Sequence, residues 1–300
     1  MRSFNEVYEE IYKEKNEKLE TARKYSLNTT YLTILVVIAI AIFIIIINKM
    51  YLFPFIFFFC IVGMFVMIIG GKKSNYRGAF KNEVIGALVS GVEENLTYYP
   101  DQGITQQIYI NGEFEQHFDK FLSEDLIEGN LDNKYYVCMS EVLTQNETTD
   151  SEGKTTTTTI FHGMFGVSDC AKEIPGYIKI HSDKGFFGKI FGNKEKIEMD
   201  SSEFEKNFDV YCTNQIITMQ ILTADIMEML IEFKKASKIE YELTLKGNQI
   251  YLRFFTGAVF EPNILKKSLD YNTLKRYYDI IEFIFKVTRS INKVIEETEI

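Results

Sequence analysis

Hydrophobic residues recur at helical spacing at both ends of the chain and at strand-like spacing in its middle. Phe4, Val7, Tyr8 and Ile11 share one face of a predicted helix over residues 3–25, with charges between them. A helix packed on its own domain explains this stripe better than a partner-binding helix. A second stripe, Phe80, Val84, Ile85, Leu88 and Val92, predicts helix over 76–97, and Pro100 and Gly103 break it. Residues 104–122 read as further helix, and Asp125 to Asp132 as a polar turn with Gly129. Residues 134–146 and 154–165 are rich in β-branched and aromatic residues, and a polar loop separates them, so they predict a long antiparallel hairpin. Short strands are expected at 176–182, 195–199 and 209–212. Ser201 or Ser202 caps a helical turn over 201–208, and Thr223 caps a helix running to about Lys234. Two strands, 238–245 and 249–256, flank Lys246-Gly247-Asn248 as a hairpin turn. The chain closes on a predicted long helix over 271–297, striped by Leu274, Tyr278, Ile281, Ile284 or Phe285, Thr288, Ile291 and Ile295.

Two segments break this amphipathic pattern. Tyr31–Ile47 and Tyr51–Ile69 carry no charge, and only Asn48-Lys49-Met50 joins them. About 17 apolar residues suffice to span a bilayer as a helix. The expectation is a transmembrane helical hairpin, with Pro54 in the first turn of its second helix and Tyr31 and Tyr51 at interfacial levels. Arg23 and Lys24 precede it, and Lys72, Lys73, Arg77 and Lys81 follow it. By the positive-inside rule both termini would be cytoplasmic, in a multi-pass protein of the cell membrane. The expected division is a cytoplasmic N-terminal helix (1–30), the hairpin (31–69) and a cytoplasmic α+β domain (70–300). In that domain a mostly antiparallel sheet is flanked by helices and followed by a long C-terminal one.

Charge narrows the partners. Residues 1–30 hold six basic and six acidic residues, so the net charge of −9 resides in the rest of the chain. An acidic domain lacks the basic surface that phosphate backbones require, which argues against nucleic acid. Cys60, Cys138, Cys170 and Cys212 are widely spaced and form no C-x-x-C pair. His117, His162 and His181 lie on different predicted elements, no phosphate-binding glycine loop occurs, and no catalytic residue, metal or cofactor is predicted. An enzyme would require His162, Glu141 and Asp125 to meet in one pocket. One segment stands out: Lys184, Phe186, Phe187, Lys189, Ile190, Phe191 and Lys194 interleave aromatic and basic side chains among three glycines. That mixture suits contact with a membrane interface or a partner.

The order of segments resembles the DUF3137 family, uncharacterised and mostly bacterial membrane proteins. The matching stretches are Glu124–Gly129, Ser140-Glu141-Val142, Phe161–Phe165 and, most strongly, Met199–Tyr211, continuing through Gln215, Ile221–Thr223 and Met227–Leu230. Cys212-Thr213-Asn214 departs from the expected Ser/Thr-Asp-Gln-like run. The resemblance implies a membrane-anchored α+β domain and no particular reaction. The function expected from the sequence is therefore that of an anchored interaction or scaffold protein. Its partners would be the bilayer, through residues 31–69, and an unidentified protein or a second copy. The alternatives are a lipid-responsive module using residues 184–194 and an enzyme of unrecognised type.

Overall fold

The architecture, taken from a computed structural model, is described for residues 2–47, 75–182 and 196–298. The chain divides into a larger unit, residues 1–2, 89–259 and 275–300, and a smaller one, residues 3–88 and 260–274.

The larger unit is built on one antiparallel sheet. Its strands are β1 (Leu96–Tyr99), β2 (Lys120–Leu131), β3 (Tyr135–Thr149), β4 (Thr155–His181), β5 (Lys196–Ile197), β6 (Asp209–Cys212) and β7 (Tyr241–Phe254). The order is β1-β2-β3-β4-β6-β5, and β7 also pairs with β4. The expected hairpin is present as β3 and β4, paired from Val137↔Ser168 out to Thr149↔Thr155 with one register shift, at Ile160 of β4. The strand expected at 176–182 is the last stretch of β4: past the irregular residues 169–177, Tyr177–His181 pairs with Glu242–Lys246, whereas Met164–Asp169 pairs with Gln249–Phe254. The 238–256 region is the expected hairpin, its two arms together forming β7: the Phe255 amide donates to the Glu240 carbonyl, Tyr241 stacks on Phe254 at 5.7 Å and Arg253 pairs with Glu242 across its two arms. Gly247, at φ +57°, lies in its turn, and the irregular stretch 169–177 of β4 passes around that turn. Residues 104–122 are helical only over Gln106–Asn111, and of the turn expected at 125–132 residues 125–131 lie inside β2, the chain turning only from Asp132.

One sheet face carries Cys138, Val142, Phe161, Phe165, Val167 and Tyr251, packed with Tyr109 and Phe114. On the opposite face Phe233 and Phe283 stack at 3.7 Å beside Tyr241 and Phe254. Phe233 belongs to a helix, Ala224–Ser237, whose cap Thr223 accepts from the Ile226 amide at 3.4 Å. Phe283 belongs to the C-terminal helix, Tyr271–Glu297, and every residue of its expected stripe is buried. Ser201 caps Ser202–Asn207 as expected.

In the smaller unit a single helix runs from Phe4 to Ile47. Phe4, Val7 and Ile11 are buried, and Tyr8 donates to the Leu269 carbonyl, so the N-terminal stripe packs within its own unit. Phe80, Val84, Ile85 and Leu88 are buried too, although Phe80–Ile85 is π-helical rather than α-helical, and Val92 of the same expected stripe is buried in the larger unit.

The transmembrane expectation is corrected here. Among the described residues no helix is long and apolar enough to cross a membrane. The expected first span, 31–47, is not a helix of its own. It is the end of the 44-residue helix whose earlier turns carry Glu6, Glu9, Glu10, Lys13, Glu14 and Lys15. The expected second span, 51–69, lies outside the described residues. The hairpin and the multi-pass location with cytoplasmic termini therefore lose their structural basis. An uncharged window reports local composition, whereas a helix buries or exposes its faces over its whole length.

Candidate functional site

β2, β3 and β4 lie side by side, and their register places Leu122 opposite Leu143, Glu124 opposite Glu141, and Leu143 opposite His162. Because side chains alternate along a strand, these residues share one face. They line an open cleft of about 400 Å³ together with Ser123. Two carboxylates directly opposite each other across a strand pair destabilise a sheet unless something offsets them.

The imidazole is part of that offset. His162 Nε2 lies 2.8 Å from Glu141 Oε1, and Glu141 Oε2 accepts from the Val259 amide at 2.8 Å. A carboxylate only accepts, so Nε2 carries the proton and Nδ1 is left as the second functional nitrogen. The Glu141 side chain is 8% exposed and that of His162 33%, so the acid is held inside and the base reaches the cleft.

The backbone around them is tightly set. The Gly257 amide donates to the His162 carbonyl at 3.0 Å, and the Met164 amide donates to Thr256 Oγ1 at 3.2 Å. A Cβ on Gly163 would stand 1.9 Å from the Phe254 carbonyl oxygen. Only glycine lets the two chains approach so closely at this point. Of the three residues an enzyme would need together, His162 and Glu141 meet and Asp125 does not join them. Asp125 is fully buried at φ +61° in the β2 bulge, and Tyr98 donates its hydroxyl proton to it.

A second polar cluster is buried in the sheet. Arg253, 1% exposed, pairs through Nε with Glu242 at 2.5 Å and through Nη1 with Glu115 at 2.7 Å. Glu115 also accepts from Tyr109 at 2.8 Å and from Thr144. The guanidinium lies over Phe114 and Phe161, 4.8 and 5.2 Å from their ring centres. His181 Nδ1 is 3.1 Å from Glu242. Burial alone would push the Glu242 carboxyl up. Arg253 and His181 outweigh it, and the group stays below its ordinary 4.5. Burial lowers Lys179 even though Glu113 lies 3.3 Å away.

Neither cluster has a local signature in the sequence. His162 and Glu141 are brought together by the β3–β4 register alone. His117 is exposed and bonds Asp119 at 3.1 Å. Cys138, Cys170 and Cys212 are buried free thiols. The contact segment Lys184, Phe186, Phe187, Lys189, Ile190, Phe191 and Lys194 lies outside the described residues.

Residues 159–293 match the model of a family described as "Protein of unknown function (DUF3137)". The match supports the resemblance over β4, β6, β7 and most of the C-terminal helix, and its description carries no membrane location. No curated protein matches. Among solved structures, the mycobacterial trehalose monomycolate transport factor A, TtfA, aligns with a TM-score of 0.33 at 7% identity. The alignment covers 66% of this chain and 95% of that one.

Proposed function

We propose that the chain is an interaction protein and that the β2–β4 cleft receives a cationic side chain, lysine or arginine, from a protein partner. The observation that carries this reading is the pairing on one sheet face. Leu122 and Leu143 stand opposite each other beside Glu124 and Glu141, also opposite each other. Lysine and arginine have the matching form, an apolar stem ending in a positive charge. The stem would lie along the leucines, of which Leu122 is 61% exposed, and the charge would offset the carboxylate pair. His162 and the Val259 amide hold Glu141 in position, so the acid is preorganised. The net charge of −9 steers basic partners toward the protein.

The test is titration with Nα-acetyl-lysine methylamide, followed by amide chemical shifts, with the norleucine analogue as control. Binding in the millimolar range, about −4 kcal/mol, is expected for a single side chain. Added salt and Glu124→Gln should both weaken it. Equal shifts with the norleucine analogue, or indifference to Glu124→Gln, would refute the proposal.

A second reading, an acid–base enzyme, has one specific observation in its favour: an imidazole oriented by an anchored carboxylate at 2.8 Å. His162→Gln separates the two readings. It would remove any such catalysis but keep a hydrogen bond to Glu141, and so leave lysine binding within a few-fold.

A further inference from the structure

The β3–β4 hairpin extends beyond the rest of the sheet. β2 pairs with β3 as far as Gln145, and β7 pairs with β4 only from Met164 onward. Between those limits Gln145–Thr149 and Thr155–Thr159 pair with each other, Thr149↔Thr155, Thr148↔Thr156, Glu147↔Thr157, Asn146↔Thr158 and Gln145↔Thr159. Thr155, Thr156, Thr157, Thr158 and Thr159 are all exposed, as are Glu147, Thr148 and Thr149 opposite, whereas Gln145 and Asn146 at the base of the arm are half-buried.

The two edges of the arm differ. On the β3 side, the Asp119 carboxylate accepts from the Glu147 amide at 2.6 Å, the Asp119 amide donates to the Gln145 carbonyl, and Lys120 pairs with Glu147 at 2.6 Å. That edge is occupied and charged. On the outer β4 side, no strand among the described residues pairs with 155–159. The Gly257 amide takes up the edge only at the His162 carbonyl. From Thr155 to Phe161 there is no charge, proline or glycine. Proteins normally blunt an open edge with a lysine, a proline or a bulge; Thr155–Thr159 contains none of these, and the bulge of β4 lies just beyond it at Ile160, between the pairs Gln145↔Thr159 and Thr144↔Phe161. The segment also consists of a β-branched residue five times over, which favours strand pairing.

We infer that the outer edge of Thr155–Thr159 is an interaction surface and that its partner is a second copy of this chain, paired antiparallel about a twofold axis through Thr157. The self-match is the reason. That register places Thr155 opposite Thr159 and Thr156 opposite Thr158 of the other copy, with no like charges facing. Threonine pairs across strands are favourable. A twofold contact also closes on itself and does not propagate into a fibre. Five residues span about 17 Å, the length of an ordinary strand. So short a contact makes a dimer that forms and dissociates with concentration. The inference is independent of the cleft.

Sedimentation of the full chain from about 1 to 500 μM tests it. The expected result is a concentration-dependent dimer. T156K/T158K sets two ammonium groups, one from each copy, opposite each other on either side of the axis, and should weaken the dimer about tenfold or more. It also lowers the net negative charge, so generalised repulsion would change in the opposite direction. T156K/T158E brings an ammonium opposite a carboxylate across the same axis and should restore the dimer. Within the hairpin these positions face Thr148 and Asn146, which are uncharged, so folding should be unaffected, as circular dichroism would verify. A chain that stays monomeric throughout overturns the inference. So does a dimer indifferent to T156K/T158K, or one that T156K/T158E weakens as much as T156K/T158K does.

Discussion

Replacing Arg253 with methionine tests whether the interior of the larger unit depends on its buried charges. Methionine retains most of the volume of the arginine stem, so little cavity is created. What is lost is the guanidinium that donates to Glu242, Glu115 and Tyr109. Glu242 and Glu115 are 1% and 5% exposed and cannot recover that loss from water. Removing one partner from a buried ion pair costs about 3–5 kcal/mol, because the remaining charge is uncompensated. Arg253→Lys keeps the charge but loses the planar fork, so a smaller loss of about 1–3 kcal/mol is expected. Urea unfolding followed by far-UV circular dichroism measures both, since the chain has no Trp. The pH dependence has a definite sign. The depressed Glu242 carboxyl contributes stability that is complete above 4.5 and disappears as pH falls through its lower folded-state value. Arg253→Met lacks most of that contribution at every pH. The gap between variant and wild type should therefore be widest near neutrality and close on acidification. A gap below about 1 kcal/mol at neutral pH, or one that widens in acid, would refute the argument.

Two further outcomes follow from the same packing. Gly163→Ala places its methyl against the Phe254 carbonyl and 2.9 Å from the Thr256 amide, both backbone. A loss of about 1–3 kcal/mol is expected, with faster hydrogen exchange at the Gly257 and Val259 amides; unchanged exchange there would contradict the close approach. Burial, reinforced by Glu128 and Asp169, pushes the Cys138 thiol up to about 12. Iodoacetamide at pH 8 should therefore spare it in the native protein and modify it in urea, as mass spectrometry would report. Rapid native labelling would mean that this sheet face opens.

Some elements were written locally. The C-terminal helix matches its expected bounds, 271–297, because an apolar stripe repeating over seven turns has one low-energy arrangement. Ser201 and Thr223 mark helix starts because a cap is a contact three residues long. The hairpin of β3 and β4 was legible for a similar reason: β-branched residues on both sides of a polar loop. Where local signs failed, a neighbouring strand had the deciding role. Glu124, Asp125, Glu128 and Asn130 suggest a turn, but β3 on one side and β1 on the other supply ladder partners that make them a bulged strand. The uncharged run at 31–47 suggests a separate spanning helix, and the structure makes it the end of a longer one.

The sequence by itself determined the α+β class, the terminal helices, the central hairpin and the acidic charge, all properties of short windows or of composition. The tertiary structure alone decided the candidate site and the buried network. Glu141 and His162 are 21 residues apart, and Arg253 and Glu115 are 138 apart. No pattern in one strand specifies which charge on another it will face. That depends on register, and a slip of one residue would turn Glu141 away from His162 to the other side of the sheet.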